Sequence, residues 1–226
     1  MEFTFGITTG GLQEDNLNKI IDSIEVLNIP KYEVIIVGNA DIERKNTTVI
    51  PFDENQRNMW ITRKKNIITL SAKYENVVYL HDTVAIEPDF YTGFLKFGND
   101  FEVTMTKMLN GDGTIYRDWL LLDTNINGVT IPYLERILPY GENRLKKYMY
   151  ISGTYWVAKK EFMLRNPLNE RLVWSDGEDI EWSVRIRDKC DIKMNLYSTV
   201  KLLVWKDIYL KPIPDDLYQK ICSTFN

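Results

Sequence analysis

The stretch from Val77 to Asp89 constrains the fold most, because a short apolar run in it ends abruptly in polar residues. The run Val77–Leu80 is apolar and β-prone, which is typical of a strand buried on both faces of a parallel sheet. Asp82 follows two residues later. A carboxylate at the end of a buried strand is costly unless something pairs with it. Because ligands bind at the carboxyl ends of strands in open α/β sheets, we predict that Asp82 faces a ligand or a metal ion.

Strands and helices are predicted to alternate before this point. Phe3–Thr8 predicts a first strand, and Tyr32–Val37 predicts a second, buried strand. The segment between them has one apolar helical face and ends before Pro30. This order predicts a parallel strand pair with a right-handed crossover, followed by a short strand at Val49–Phe52. The apolar positions of the intervening helix are Leu17, Ile20, Ile21, Ile24 and Leu27.

Length and charge narrow the functional classes. A chain of 226 residues can bury the core of one domain, and a net charge of −4 argues against a nucleic-acid partner. No apolar run approaches the roughly 18 residues of a membrane span, and the start of the chain lacks the features of a signal peptide. With only two cysteines in addition, the prediction is a cytoplasmic protein.

A helix is predicted over Trp60–Tyr74, with Thr62, Asn66 and Thr69 on one polar face. Arg63 and Lys64 fall within the apolar arc of this helix. Two interpretations stay open for them. Their stems can extend along the surface to water, or their charges can face the phosphate of a bound nucleotide.

The second half is predicted to contain strands at Phe101–Leu109, Tyr116–Leu122 and Met149–Val157, the last carrying Ser152-Gly153-Thr154. Asp123–Arg144 has no persistent period and predicts a long ordered loop with a helical turn. A helix follows near Trp174–Arg187.

Acidic residues cluster at the start of that helix, in Asp176–Glu181. Carboxylates at a helix start often serve only as caps that complement the helix dipole. Gly177 allows a sharp turn before Glu178 and Asp179, so that one of the two acids can cap the helix while the other faces a substrate. Trp119 and Trp174, beside polar loops, are the aromatic residues predicted to stack on sugar rings.

The order of these segments resembles a GT-A glycosyltransferase, closest to glycosyltransferase family 2. The resemblance covers about residues 1–187 and is carried by Phe5–Thr9, Ile35–Asp41, Arg63–Ala72, Tyr79–Phe90, Ile151–Phe162 and Gly177–Arg185. It implies an α/β fold, namely a single Rossmann-like GT-A domain over residues 1–226 with a mostly parallel central sheet flanked by helices. Residues 1–100 would form the nucleotide-binding half and residues 101–226 the acceptor-binding half.

The same resemblance implies transfer of a sugar from a nucleotide-sugar, with a UDP-sugar expected, to a hydroxyl of a glycan, lipid-linked or protein acceptor. An inverting displacement with a carboxylate base is expected. Asp82 would bind a divalent cation, Mn²⁺ or Mg²⁺, that bridges the donor phosphates, and Asp179 would be the base, with Glu178 as the second candidate. The remaining donor-binding residues are expected to be Thr8, Thr9, Gly38 and Asn39 at the nucleoside, Arg63 and Lys64 at the phosphates, and Gly153 at the sugar.

The sequence also departs from the family pattern. Asp82 stands without further acids between His81 and Thr83, and His81 is the only histidine. Lys201, Lys206 or Arg185 are therefore alternatives as the source of positive charge at the phosphates. Two other functional classes stay open, a nucleotidyltransferase that forms a nucleotide-sugar and a non-catalytic nucleotide- or glycan-binding module.

Overall fold

The computed structural model describes residues 1–11, 14–204 and 210–225. The first hundred residues hold strands and helices in turn, whereas the rest also includes several strands of only two or three residues. The first set comprises β1 (Phe3–Thr8), α1 (Glu14–Glu25), β2 (Tyr32–Val37), β3 (Thr47–Ile50), α2 (Ile61–Ser71), β4 (Asn76–His81), β5 (Val84–Ile86) and α3 (Phe90–Phe97). The second comprises β6 (Val103–Leu109), β7 (Leu120–Leu121), β8 (Asn125–Ile126), β9 (Val129–Thr130), β10 (Glu135–Ile137), β11 (Met149–Tyr150), β12 (Tyr155–Lys159), α4 (Lys160–Arg165), α5 (Glu178–Ile186), β13 (Lys193–Leu202), β14 (Lys211–Pro212) and α6 (Asp215–Cys222).

The main sheet has eight strands in the order β3-β2-β1-β4-β12-β6-β13-β5. Four of the seven neighbouring pairs are parallel, including all those among β1 to β4, and β12 runs antiparallel to β4 and β6. A smaller sheet joins β11, β7, β10 and β14. The predicted α/β fold with a mostly parallel central sheet is confirmed, and β1 and β2 have the predicted bounds.

The first strand separates two hydrophobic cores because its side chains alternate between the faces of the sheet. Phe3, Phe5 and Ile7 pack in the core that contains the apolar face of α1. On the other face, Gly6 lets α2 approach closely, since a Cβ on Gly6 would lie 2.1 Å from Cγ2 of Ile68. This packing places the start of α2 beside the end of β1.

The polar face predicted for α2 is buried. Thr62 Oγ1 donates to the carbonyl of Leu172 at 2.8 Å, and Asn66 Nδ2 donates to that of Leu168 at 2.9 Å. Leu70, within the predicted apolar arc, is 63% exposed. The polar residues share one face of the helix, as predicted, but this face contacts the backbone of residues 168–172, which satisfies its polar groups.

Two predicted strands are wrong in extent. Met149–Val157 is two strands, β11 and β12, separated by a turn at residues 151–154. Of Tyr116–Leu122 only β7 is a strand, and Trp119 before it has a φ of +51°. Asp123–Arg144 contains β8, β9 and β10 rather than a helical turn. Within the described ranges, no helix has the length and apolar character required to cross a bilayer.

Asp118, in the second half, makes stability depend on pH. It is 1% exposed, and its Oδ2 accepts a hydrogen bond from the Met108 amide at 2.8 Å. Burial raises the pKa of Asp118 to about 7, although the Met108 amide opposes this. Because the folded-state pKa lies above the unfolded one, its contribution to stability is present in acid and is lost as the pH rises through about 7.

We therefore expect Asp118→Asn to be more stable relative to wild type at pH 8.5 than at pH 5. The difference should be on the order of 2 kcal/mol, since each pKa unit corresponds to about 1.4 kcal/mol. Urea unfolding at both pH values measures it. The same difference in free energy of unfolding between the two proteins at pH 5 and at pH 8.5 would show that Asp118 is not the group responsible.

Candidate functional site

The sheet topology brings four predicted site segments to one edge. The carboxyl ends of β1, β2 and β4 are in register, with Thr8 paired to Val37 and to His81. Because β12 is antiparallel to β4, the turn that precedes β12 lies at this same edge, as the pairing of Tyr155 with Leu80 shows. The segments after β1, β2 and β4 and the turn at residues 151–154 therefore surround one site.

Asp82 and Thr9 are hydrogen-bonded to each other. Thr9 Oγ1 donates to Asp82 Oδ2 at 2.8 Å and accepts from the amide of Gly11 at 3.1 Å. The amide of Asp82 donates to the carbonyl of Thr8 at 3.2 Å, and Thr8 Oγ1 donates to that of Leu80 at 3.3 Å. These bonds hold the Asp82 carboxylate at the edge of the sheet formed by the carboxyl ends of β1, β2 and β4.

Lys64 and Arg63 have different surroundings. Lys64 is buried, donates to the carbonyl of Thr9 at 2.7 Å and forms an ion pair with Glu54. Arg63 instead pairs with Glu170 at 3.1 Å. The structure therefore places Lys64, but not Arg63, next to the loop that carries Thr9.

A cavity of about 480 Å³ opens at this edge, and Thr8, Thr9, Lys64, Asp82 and Trp174 line it. Trp174 is 55% exposed. Trp119, the other aromatic residue predicted at the site, is fully buried in the core. A larger cavity of about 640 Å³ lies between α2, α4 and α5. Arg185, one of the alternatives for charge at the phosphates, lines it, but Asp82, Thr9 and Lys64 do not, so we assign the site to the smaller one.

Gly38 and Asn39 follow β2. Gly38 has a φ of +145°, and a Cβ there would lie 2.3 Å from the carbonyl oxygen of Thr9. Asn39 is exposed, and its Oδ1 accepts from the amide of Phe52 at 3.4 Å. Gly38 is therefore required where the loops after β1 and β2 meet.

Asp179 reaches across to the turn before β12. Its Oδ2 accepts from the amide of Gly153 at 2.8 Å and from the hydroxyl of Tyr150, and its Oδ1 accepts from the amide of Ile180 at 2.9 Å. A Cβ on Gly153 would lie 2.8 Å from Asp179 Oδ2. Gly177 precedes α5 with a φ of +70°. Asp179 is thus more than a helix cap, because it is bonded to β11 of the smaller sheet and to the turn before β12.

Glu178 lies beside a lysine that our sequence analysis missed. Glu178 is buried, and its pKa is raised by burial and by Asp179, while Lys65 opposes this. Lys65 is only 1% exposed and donates to the carbonyl of Gly153 at 2.6 Å. Burial lowers the pKa of Lys65, while Glu178 and Asp179 raise it. The signal for Lys65 was its helical spacing from Thr62 and Thr69, on the face that proved to be buried.

The turn at residues 151–154 connects the two acidic positions. The amide of His81, next to Asp82, donates to the carbonyl of Thr154 at 3.1 Å. The amide of Gly153 donates to Asp179. Asp179 and His81, the neighbour of Asp82, are therefore both bonded to this turn.

Asp82 can serve as one ligand of a divalent cation. Within the described part of the chain, no group of three or more histidines, cysteines and acids could hold a metal by itself. Mg²⁺ at phosphate sites is commonly held by one or two carboxylates together with substrate phosphates and water, and the single carboxylate of Asp82 fits that ligand set. Arg185 pairs with Glu181 at 2.6 Å, and Lys206 lies outside the described residues.

Comparisons with known proteins gave matches at the level of structure only. No protein-family model and no curated protein matches the sequence. The structure of S. aureus TarS 1–349 in complex with UDP-GlcNAc matches with a TM-score of 0.62 and 14% identity over 99% of this chain and 66% of that one. GalNAc-T7 with UDP, GalNAc and Mn²⁺ matches with a TM-score of 0.64 and 14% identity over 96% and 45%.

The chain spans less than two thirds of the length of either structure. At 14% identity the likeness shows the fold alone. The chain has the GT-A fold, as the resemblance in its sequence predicted.

Proposed function

We propose that this chain with the GT-A fold is a glycosyltransferase that moves a sugar from a UDP-sugar to an acceptor hydroxyl. The observation that carries the proposal is that the turn at residues 151–154 is bonded both to Asp179 and to His81, the residue before Asp82. Asp82 and Lys64 line a cavity, and the Asp179 carboxylate is held by three donors. The UDP-GlcNAc and UDP bound by TarS and GalNAc-T7 support the choice of donor.

Asp179 is the proposed general base. The acceptor oxygen attacks the anomeric carbon, the bond from that carbon to the diphosphate oxygen breaks with its electron pair leaving on the diphosphate, and the acceptor proton passes to Asp179. Oδ2 already accepts two hydrogen bonds, whereas Oδ1 accepts one from Ile180. We therefore assign the proton to Oδ1. Attack on the face opposite the leaving group inverts the anomeric configuration.

The diphosphate is proposed to bind at the cavity lined by Thr9, Lys64 and Asp82. Lys64 supplies positive charge there, although its ion pair with Glu54 neutralises part of that charge. A divalent cation held by Asp82 and the donor phosphates would neutralise charge on the leaving group. Gly153 presents no side chain beside Asp179, which leaves room for the donor sugar.

Turnover of donor tests the proposed function. The purified protein is incubated with a panel of UDP-sugars with and without Mn²⁺, and UDP release is measured with water or added glycans as acceptors. Release of UDP from at least one donor is expected. Release of pyrophosphate from UTP and a sugar 1-phosphate would instead show a nucleotidyltransferase, and UDP binding without turnover of any donor would favour a binding module.

We expect Asp82→Ala to remove the part of UDP affinity that depends on metal, while the fold is retained. The loss should be about 10- to 100-fold in Kd with Mn²⁺ present, because the cation loses its protein carboxylate. Calorimetric titration of UDP with and without Mn²⁺ measures it. Asp188→Ala, which removes an exposed acid after α5, is the matched control. Equal affinity of the wild type with and without Mn²⁺ would remove Asp82 from this role.

A further inference from the structure

Lys65 is a buried cation that the proposed transfer does not use directly. It lies on α2 at 1% exposure, and its ammonium is 4.6 Å from the centre of the Trp156 ring. Burying a charged ammonium is costly unless it is paired or hydrogen-bonded. The contacts of Lys65 must therefore offset the cost of burying its charge, and these contacts lie in the candidate site.

We propose that Lys65 is a positioning residue for the base: it fixes the turn at residues 151–154 and thereby holds the Asp179 carboxylate in place. This inference rests on the proposed function. It adds a residue on a third element, α2, to the pair formed by β11 and α5. Lys65 acts through Gly153 and through its charge, and it does not touch the reacting atoms.

The geometry of the turn carries the first step. Lys65 Nζ donates to the carbonyl of Gly153 at 2.6 Å, and the amide of Gly153 donates to Asp179 Oδ2 at 2.8 Å. Gly153 is thus bonded on both sides, by the cation and by the base. Because a Cβ on Gly153 would lie 2.8 Å from Asp179 Oδ2 and 3.1 Å from Glu178 Oε1, a small shift of this turn changes where both carboxylates sit.

The charges in this cluster carry the second step. Lys65 from α2 acts on Glu178 and Asp179 from α5, and Asp176 adds a further negative charge near Glu178. On the β11 side, Asp179 meets the Tyr150 hydroxyl, and Arg117 acts on Tyr150.

The charge of the buried Lys65 therefore acts on two neighbouring acids, Glu178 and Asp179. Glu178 is the more buried of them and has a raised pKa, so it holds a proton more readily. Asp179 accepts three hydrogen bonds, from Tyr150, Gly153 and Ile180. Removing the Lys65 ammonium leaves these two acids without its compensating charge.

The pH dependence of Lys65→Met tests this role. We expect its acidic limb of kcat/KM to move up by about one pH unit, because the acids of the cluster lose the compensating charge of Lys65. On that limb kcat/KM should fall by up to about tenfold, which is the loss that a shift of one pH unit gives. The donor KM should change less than threefold, and the deficit in kcat/KM should narrow as the pH rises. Lys73→Met removes an exposed lysine just beyond α2 and is the matched control. A deficit of the same size at every pH would overturn the proposal, because it would indicate structural damage alone.

A second measurement does not depend on turnover. In thermal unfolding at pH 8, Lys65→Met should lower Tm, and the double variant Lys65→Met/Glu178→Gln should recover part of the loss because it removes one of the two unpaired acids. A double variant no more stable than Lys65→Met would overturn the electrostatic link. If no UDP-sugar is turned over but the recovery is seen, the proposed function fails while the pairing of Lys65 with the acids stands.

Discussion

Asp179→Asn is expected to lower the rate of sugar transfer about 1000-fold while leaving the UDP-sugar affinity within about threefold. An amide cannot take the acceptor proton, and general bases contribute about 10²- to 10⁴-fold to catalysis. The amide keeps the size of the carboxylate, and its oxygen can still accept from Gly153 and Tyr150, so the turn at residues 151–154 should stay in place. Single-turnover UDP release measures the rate, and calorimetry measures the affinity.

Glu181→Gln is the matched control for this prediction, since it makes the same acid-to-amide change on α5 at a residue paired with Arg185. Its transfer rate should stay within about twofold of the wild type. Transfer by Asp179→Asn within tenfold of the wild type would contradict the assignment. Glu178→Gln would then be measured under the same conditions, because Glu178 is the neighbouring acid of the cluster.

Gly38→Ala is expected to destabilise the protein by about 3 kcal/mol or more and to abolish measurable UDP binding. The glycine has a φ of +145°, and its added Cβ would lie 2.3 Å from the backbone oxygen of Thr9. An L side chain is strained at this φ, and a backbone atom cannot move aside as a flexible side chain can. Relief of the clash must move Thr9, which holds Asp82 and contacts Lys64.

Urea unfolding measures the stability of this variant, and calorimetry measures its UDP affinity. Gly10→Ala is the control for stability: it makes the same substitution two residues beyond β1, where an added Cβ meets no atom within 4 Å. Its free energy of unfolding should stay within about 1 kcal/mol of the wild type. Equal stability of the Gly38→Ala and Gly10→Ala variants would show that the close approach of the two loops is not required.

The strands β1, β2 and β4 could be predicted because their signal is local, whereas β5 was not predicted. The structure gives β1 and β2 the predicted bounds. Once these strands are parallel, their carboxyl ends must share an edge. The positions of Thr9 and Asp82 at one edge follow from that rule, without knowledge of any side-chain contact.

The second half was harder to predict because its short strands depend on partners far away in the sequence. β7 is two residues long and pairs with β10 and β11, so no period develops in the sequence. The turn between β11 and β12 interrupts what reads as one apolar run. Gly153 is not part of a strand, because its amide donates to Asp179 and its carbonyl accepts from Lys65. Both residues lie on elements far away in the chain.

The sequence by itself determined which residues end the buried strands, that Asp82 stands at such an end, and that an acid pair follows Gly177. Only the tertiary structure decided that the polar face of α2 is buried, that Arg63 pairs away from the site, and that Lys65 meets the acids. The physical reason is that periodicity separates polar from apolar positions but does not say what a polar face contacts. A buried polar face is stable only where distant backbone and charged groups satisfy it, and those partners are set by how the chain folds back on itself.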